Sequence, residues 1–273
     1  MTDLQKLVKY GAIAIASLLA LGIVCGCFML IGVMVGITGG ERGTVISSAG
    51  ESSYGVMNDV KNLDILISAA SLNIVQGERF YVESNLKNLK ITETATTLKL
   101  YEKSKFSLGK TDYKDAVLTV YIPEGHVFDS AEITTGAGVV NIVGLTADTL
   151  EFELGTGDVS LNGLTVNSSA DIEGGAGRLT VKNSSMRNLD LQMGVGQLVM
   201  QAYVQGRSKM EFGIGESDLT LLGGKSDYTL DIEKGIGSVT VDGKSVKDAG
   251  VGGGSNVVSI EGGIGRINVE FGK

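Results

Sequence analysis

Ten carboxylates at two repeating positions are the part of this sequence best equipped for chemistry. Four residues before each of seven Gly-x-Gly triplets stand Glu132, Glu151, Asp171, Asp190, Lys209, Asp231 and Ser259. Two residues before them stand Thr134, Glu153, Glu173, Gln192, Glu211, Glu233 and Glu261. Hard divalent cations favour carboxylate oxygens, and extracellular modules hold calcium at roughly 0.1–1 mM. Glu151, Glu153, Asp171, Glu173, Glu211, Asp231 and Glu233 therefore form a candidate weak Ca²⁺ or Mg²⁺ ridge. The plainer alternative is a solvated strand face whose charges nearby Lys and Arg screen. Paired acids also serve glycosidases, but those need one pair across one cleft. Here the pairs repeat along a face poor in aromatic residues, and none is singled out, so no catalytic residue is assigned.

Other chemistries are excluded on similar grounds. His126, the single histidine, follows Ile122-Pro-Glu-Gly125 and reads as a solvated turn residue. With no second histidine and no cysteine beyond the N-terminal segment, it cannot build a transition-metal site, and the serines have no base for a triad. A nucleotide-binding Gly-x-Gly-x-x-Gly leads from a strand into a helix, and no helical period follows any triplet here. Gly155-Thr-Gly-Asp158 matches a calcium nonapeptide only in part, at the wrong period. A formal charge of −8 disfavours nucleic acid, which requires a basic patch. Asn167-Ser-Ser169 and Asn183-Ser-Ser185 fit the glycosylation triplet, as chance allows in a chain this rich in Ser and Asn.

The elements that must position the carboxylates are strands. The triplets are Gly136-Ala-Gly138, Gly155-Thr-Gly157, Gly175-Ala-Gly177, Gly194-Val-Gly196, Gly213-Ile-Gly215, Gly235-Ile-Gly237 and Gly263-Ile-Gly265. Their first glycines are 19, 20, 19, 19, 22 and 28 residues apart. Alternation flanks each: Ile133, Phe152, Ile172, Leu191, Met210, Ile232 and Ile260 precede, and pairs such as Val140/Ile142, Val159/Leu161 and Leu179/Val181 follow. A period near 20 with a glycine bend predicts a parallel β-solenoid, β-helix-like, in which each coil stacks on the last. Forty glycines against one proline, Pro123, agree with an all-β chain bent by glycine. In the fifth coil Leu219/Leu221 read as a one-residue shift of the kind a bulge makes. Lys247 to Ser255 reads as a loop bulging from one coil. Less regular strands over 61–125 form the first coils and 126–273 the Gly-x-Gly coils. About ten coils give a rod of roughly 50 Å. The chain stops at Phe271-Gly-Lys273, so an open last coil is expected to dock a partner or a second copy.

Ahead of the solenoid, Gly11 to Ile37 carries 27 residues without a charge, enough for one transmembrane α-helix. Lys6 and Lys9 keep residues 1–10 in the cytoplasm and put the rest outside the membrane. Cys25 and Cys27 lie inside this span and cannot staple the ectodomain. Residues 38–60, rich in Gly and Ser, read as a flexible linker.

Residues 60 to 273, with Leu63-Asp-Ile-Leu-Ile67 early, Val120-Tyr-Ile-Pro123 before the first triplet, and the seven repeats, resemble the bacterial adhesin-like, toastrack-type β-strand-repeat family. The resemblance implies a cell-envelope role as an adhesin-like binding or scaffolding module, or as an envelope-stress partner, and supplies no catalytic or cofactor-binding residues. The expected protein is a single-pass cell-membrane protein with its solenoid outside, non-catalytic. Its expected partners are the membrane, another envelope protein, itself or a surface glycan. The rival reading is a signalling component that pairs with another membrane protein.

Overall fold

Strict alternation of apolar and polar residues makes the strands of this chain, and glycine bends them. The computed structural model describes residues 44–45, 52–56, 59–86, 88–102, 115–246 and 249–272. The expected span over 11–37, with Lys6, Lys9, Cys25 and Cys27, lies outside the described residues. Among the described residues no helix is long and apolar enough to cross a membrane.

Two short strands, β1 (Thr44–Val45) and β2 (Ser52–Gly55), precede the long β3 (Asn62–Gly77). Four shorter ones follow: β4 (Tyr81–Ser84), β5 (Leu89–Glu93), β6 (Thr97–Glu102) and β7 (Val117–Pro123). Then come β8 (Phe128–Val143), β9 (Thr146–Asn162), β10 (Thr165–Arg187), β11 (Leu189–Gln205) and β12 (Arg207–Leu222). The chain finishes with β13 (Tyr228–Glu233), β14 (Ile236–Val241), β15 (Lys244–Ser245), β16 (Ala249–Gly252) and β17 (Asn256–Gly272).

Each long strand is one level of an all-β solenoid, with two arms joined at a bend that is Gly-x-Gly in β8 to β12 and β17 and Ser68-Ala-Ala70 in β3. Neighbouring levels are parallel and in register: Ile133, Phe152, Ile172, Leu191, Met210 and Ile260 stack in one column. Both arms point their apolar residues into one core, where Phe128, Phe152, Ile172, Leu191 and Met210 are fully buried.

The bends explain why the period is written in glycine. The second glycine of each triplet has φ between 137° and 149°. A Cβ on Gly157, Gly177, Gly196, Gly215, Gly265 or Gly237 would lie 1.8–1.9 Å from the carbonyl oxygen of the matching glycine one level away. Both the left-handed backbone and the close approach exclude a side chain.

The order of levels departs from the expected one. The structure stacks nine: β6 with β7, then β3, β8, β9, β10, β11, β12, β17, and last β13 with β14. At about 4.8 Å per level the rod is about 40 Å long. The C-terminal β17 is therefore interior, and the open last coil expected from the sequence does not exist. The segment expected as a bulging loop supplies part of the cap instead, as β16 running antiparallel along β13, and β15 just before it runs antiparallel along β14. The other end mirrors this, with β5 antiparallel to β6 and β4 to β7. Such antiparallel covers protect an edge that would otherwise template further pairing. Tyr228 holds the C-terminal reversal: fully buried, it donates its hydroxyl to the Leu222 carbonyl at 2.6 Å and packs beside Phe271.

Three smaller expectations are corrected. Two pieces of the expected linker over 38–60 are strands, β1 on β5 and β2 on β4, and the Tyr54 hydroxyl donates to Glu93 at 2.7 Å. The fifth coil has no shift. Leu219 and Leu221 pair with Met200 and Ala202 in the ordinary phase, and Ser217 takes the inward position beside Leu198. The register shifts fall instead at Val166/Ser169 and Val181/Ser184, on the two Asn-Ser-Ser triplets.

Gly196→Ala should lower stability by at least ~2 kcal/mol, from left-handed strain plus the clash with the Gly177 carbonyl. Gly253→Ala, where an added Cβ meets nothing within 4 Å, is the control and should change little. Equal thermal melting of the two variants would contradict the glycine stack.

Candidate binding face

Parallel stacking in register turns a repeated residue into a column. The first acidic position becomes the ladder Asp64, Glu132, Glu151, Asp171, Asp190, Lys209, Ser259, Asp231. The second becomes Leu66, Thr134, Glu153, Glu173, Gln192, Glu211, Glu261, Glu233. The sequence therefore places every predicted ridge residue on one sheet face. Asp231 and Glu233, however, lie at the end level beyond Ser259 and Glu261, not beside Lys209 and Glu211.

Two lysines on this face pair with its carboxylates. Lys99 Nζ meets Asp64 at 2.5 Å. Lys209 pairs with Glu211 on its own level and with Glu261 on the next at 3.2 Å. Asp64 and Lys99 were not visible as part of the face, because β3 carries Ser68-Ala-Ala70 where the other levels carry Gly-x-Gly. Aligning Leu63-Asp-Ile65 with Ala131-Glu-Ile133 would have found Asp64.

Between Lys99 and Lys209 no carboxylate of the two columns other than Asp64 joins an ion pair among the described residues, although the Lys99 charge partly offsets the rise at Glu132. Glu153 is only 6% exposed, and its Oε2 is buried without a hydrogen-bond partner. Burial pushes its carboxyl up to about 7, helped by the charges of Glu173, Glu151, Glu132 and Asp171. Burial also raises Glu132, with Asp64 and Glu151 adding; Asp171, with Asp190 adding; and Glu173, with Asp171 adding. Across the bend the other arm balances its charges: Arg266 pairs with Glu216 at 3.2 Å, and Arg178 Nε donates to Gln197 at 3.1 Å.

Two observations bear on the expected ligands. Among the described residues no three acidic, histidine or cysteine side chains converge as a chelated metal would require. The carboxylates are strung along the stack instead, two each on β9 and β10 and one each on β8 and β11. His126 does sit in its turn, with its backbone N–H donating to Pro123 at 3.1 Å. Its ring, however, is not in solvent: it stands edge-on to Phe80 at 4.7 Å and Phe128 at 4.6 Å.

The carboxyl protons give a pH signature. Folding holds the Glu153 proton more tightly than the unfolded chain does, so its contribution is full below about 4.5 and is lost as pH rises through about 7. The melting temperature should fall over that window. Glu153→Gln should raise it at pH 8 by about 2–6 °C, roughly 1–2 kcal/mol, and change it little at pH 4. A melting temperature that is flat across the window in both proteins would contradict the buried charge cluster.

The same fold occurs in a solved protein. A candidate adhesin from Bacteroides fragilis superposes with a TM-score of 0.51 at 12% identity, covering 81% of this chain and 96% of that one. A candidate cell adhesion protein from Clostridium sporogenes aligns over 82% of this chain and all of its own, at 14% identity and a TM-score of 0.38. No curated protein matches the sequence. The model of the Toastrack DUF4097 family matches residues 59–261, most of the solenoid, so the chain belongs to that family.

Proposed function

We propose that this protein is a single-pass, membrane-tethered rod displayed outside the cell, and that it works by adhesin-like binding rather than by catalysis. The observation that carries the reading is the shape of the chemistry. The polar groups lie in columns along an extended face, one set per level, and among the described residues no acid, base and nucleophile converge on a shared point. A surface of this kind suits an extended partner. The candidate adhesin from Bacteroides fragilis, built on the same fold, supports it.

The docked N-terminal strands refine the tether. Six residues separate Ile37 from Thr44, and extended chain covers at most about 3.6 Å per residue. With β1 paired to β5, the capped β6–β7 end is then the membrane-proximal one and the β13–β14 end the distal one.

With Lys6 and Lys9 inside, a tag after Lys273 should be removed by protease added to intact cells, while a tag before Met1 survives. Full protection of the C-terminal tag would overturn the orientation. In crosslinked membranes the rod should recover cell-wall or surface glycan. Recovery of a membrane protein alone would replace adhesion with sensing.

A further inference from the structure

Between Lys99 and Lys209 the acidic face shows no paired cation among the described residues. Strands β8 to β11 present Glu132, Glu151, Glu153, Asp171, Glu173 and Asp190 on four successive levels. None of the six joins an ion pair among the described residues. Two of their oxygens, Glu153 Oε2 and Asp190 Oδ1, are buried without a hydrogen-bond donor. A buried acceptor left unpaired destabilises the fold, the more so when charged. An external donor that reached these oxygens would recover that cost.

The geometry selects the kind of donor. A chelated divalent ion needs several oxygens at one point, and these carboxylates do not converge. The face itself shows what fits: the Lys209 ammonium contacts carboxylates of two adjacent levels, Glu211 and Glu261. Adjacent levels are ~4.8 Å apart. A linear aliphatic polyamine with short methylene spacers carries its ammonium groups at close to that interval, each able to donate more than one hydrogen bond. Its methylenes can lie along the strands as a lysine stem does.

We infer that the face of β8 to β11 binds linear aliphatic polyamines, the ligand running along the rod axis across the strands, with its ammonium groups seated between the carboxylates of successive levels. The site does not depend on where the rod is displayed.

The test is calorimetric titration of the full chain in mild detergent, at low salt and pH 8, with spermine as the probe. Magnesium and calcium at matched ionic strength, and an oligolysine peptide, are the parallel arms. Spermine should bind at least tenfold tighter than either metal. The triple change Glu151→Gln, Asp171→Asn and Glu173→Gln should weaken it at least tenfold. The pair Glu216→Gln and Asp218→Asn on the opposite arm should leave it unchanged. Spermine should also raise the melting temperature of the natural chain but not of the triple variant, which reports the site independently of the titration. Spermine binding no tighter than the metals, equal binding by the triple variant, or binding of oligolysine without spermine would each overturn the assignment.

Discussion

Backbone stacked on backbone at the bend is the constraint from which the rest of this structure follows. At seven levels the second glycine of the triplet turns the chain with a left-handed φ, and in six of them a Cβ would lie within 2 Å of the carbonyl of the matching glycine on the next level. Such contact leaves no freedom for one level to slide against another. A one-residue slip would reverse which side chains face inward. The bend therefore imposes the register, and the register makes every repeated position a column.

Columns have opposite consequences on the two faces. Inside, like over like is favourable: Ile133, Phe152, Ile172, Leu191 and Met210 stack into a continuous apolar spine. Outside, the same rule sets carboxylate over carboxylate, and like charges directly opposite destabilise a sheet. The fold answers with the lysines Lys99 and Lys209, and by holding protons on carboxyls such as Glu153 between them. The second arm meets no such cost, since Arg178 and Arg266 interrupt its acidic column.

Parallel stacking also leaves an unpaired edge at each end, and both ends solve it in the same way. A long strand, β3 at one end and β17 at the other, lies one level inside. The terminal level is split into two short strands, and short antiparallel strands cover the outside of each. At one end the cover reaches further, because β1 and β2 add to β5 and β4.

Much of this was determined by the sequence alone. The period near 20, the bends, the inward Ile and Phe column and the outward carboxylates are local properties of each repeat, set by alternation and by glycine's freedom at positive φ. They hold whichever level stacks on which. The tertiary structure alone decided that order. Every Gly-x-Gly level offers the same edge, so nothing in the repeat tells Gly265 to stack between Gly215 and Gly237; the choice falls to the connections and caps, such as Tyr228 seated under the Leu222 carbonyl. The burial of Glu153 was hidden for a related reason: β9 is sandwiched between β8 and β10, an arrangement that a reading of one strand at a time cannot see. Ser217 in the core, Asp64 in the ladder and the pairing of Thr44–Val45 likewise exist only through contacts between segments distant in the chain.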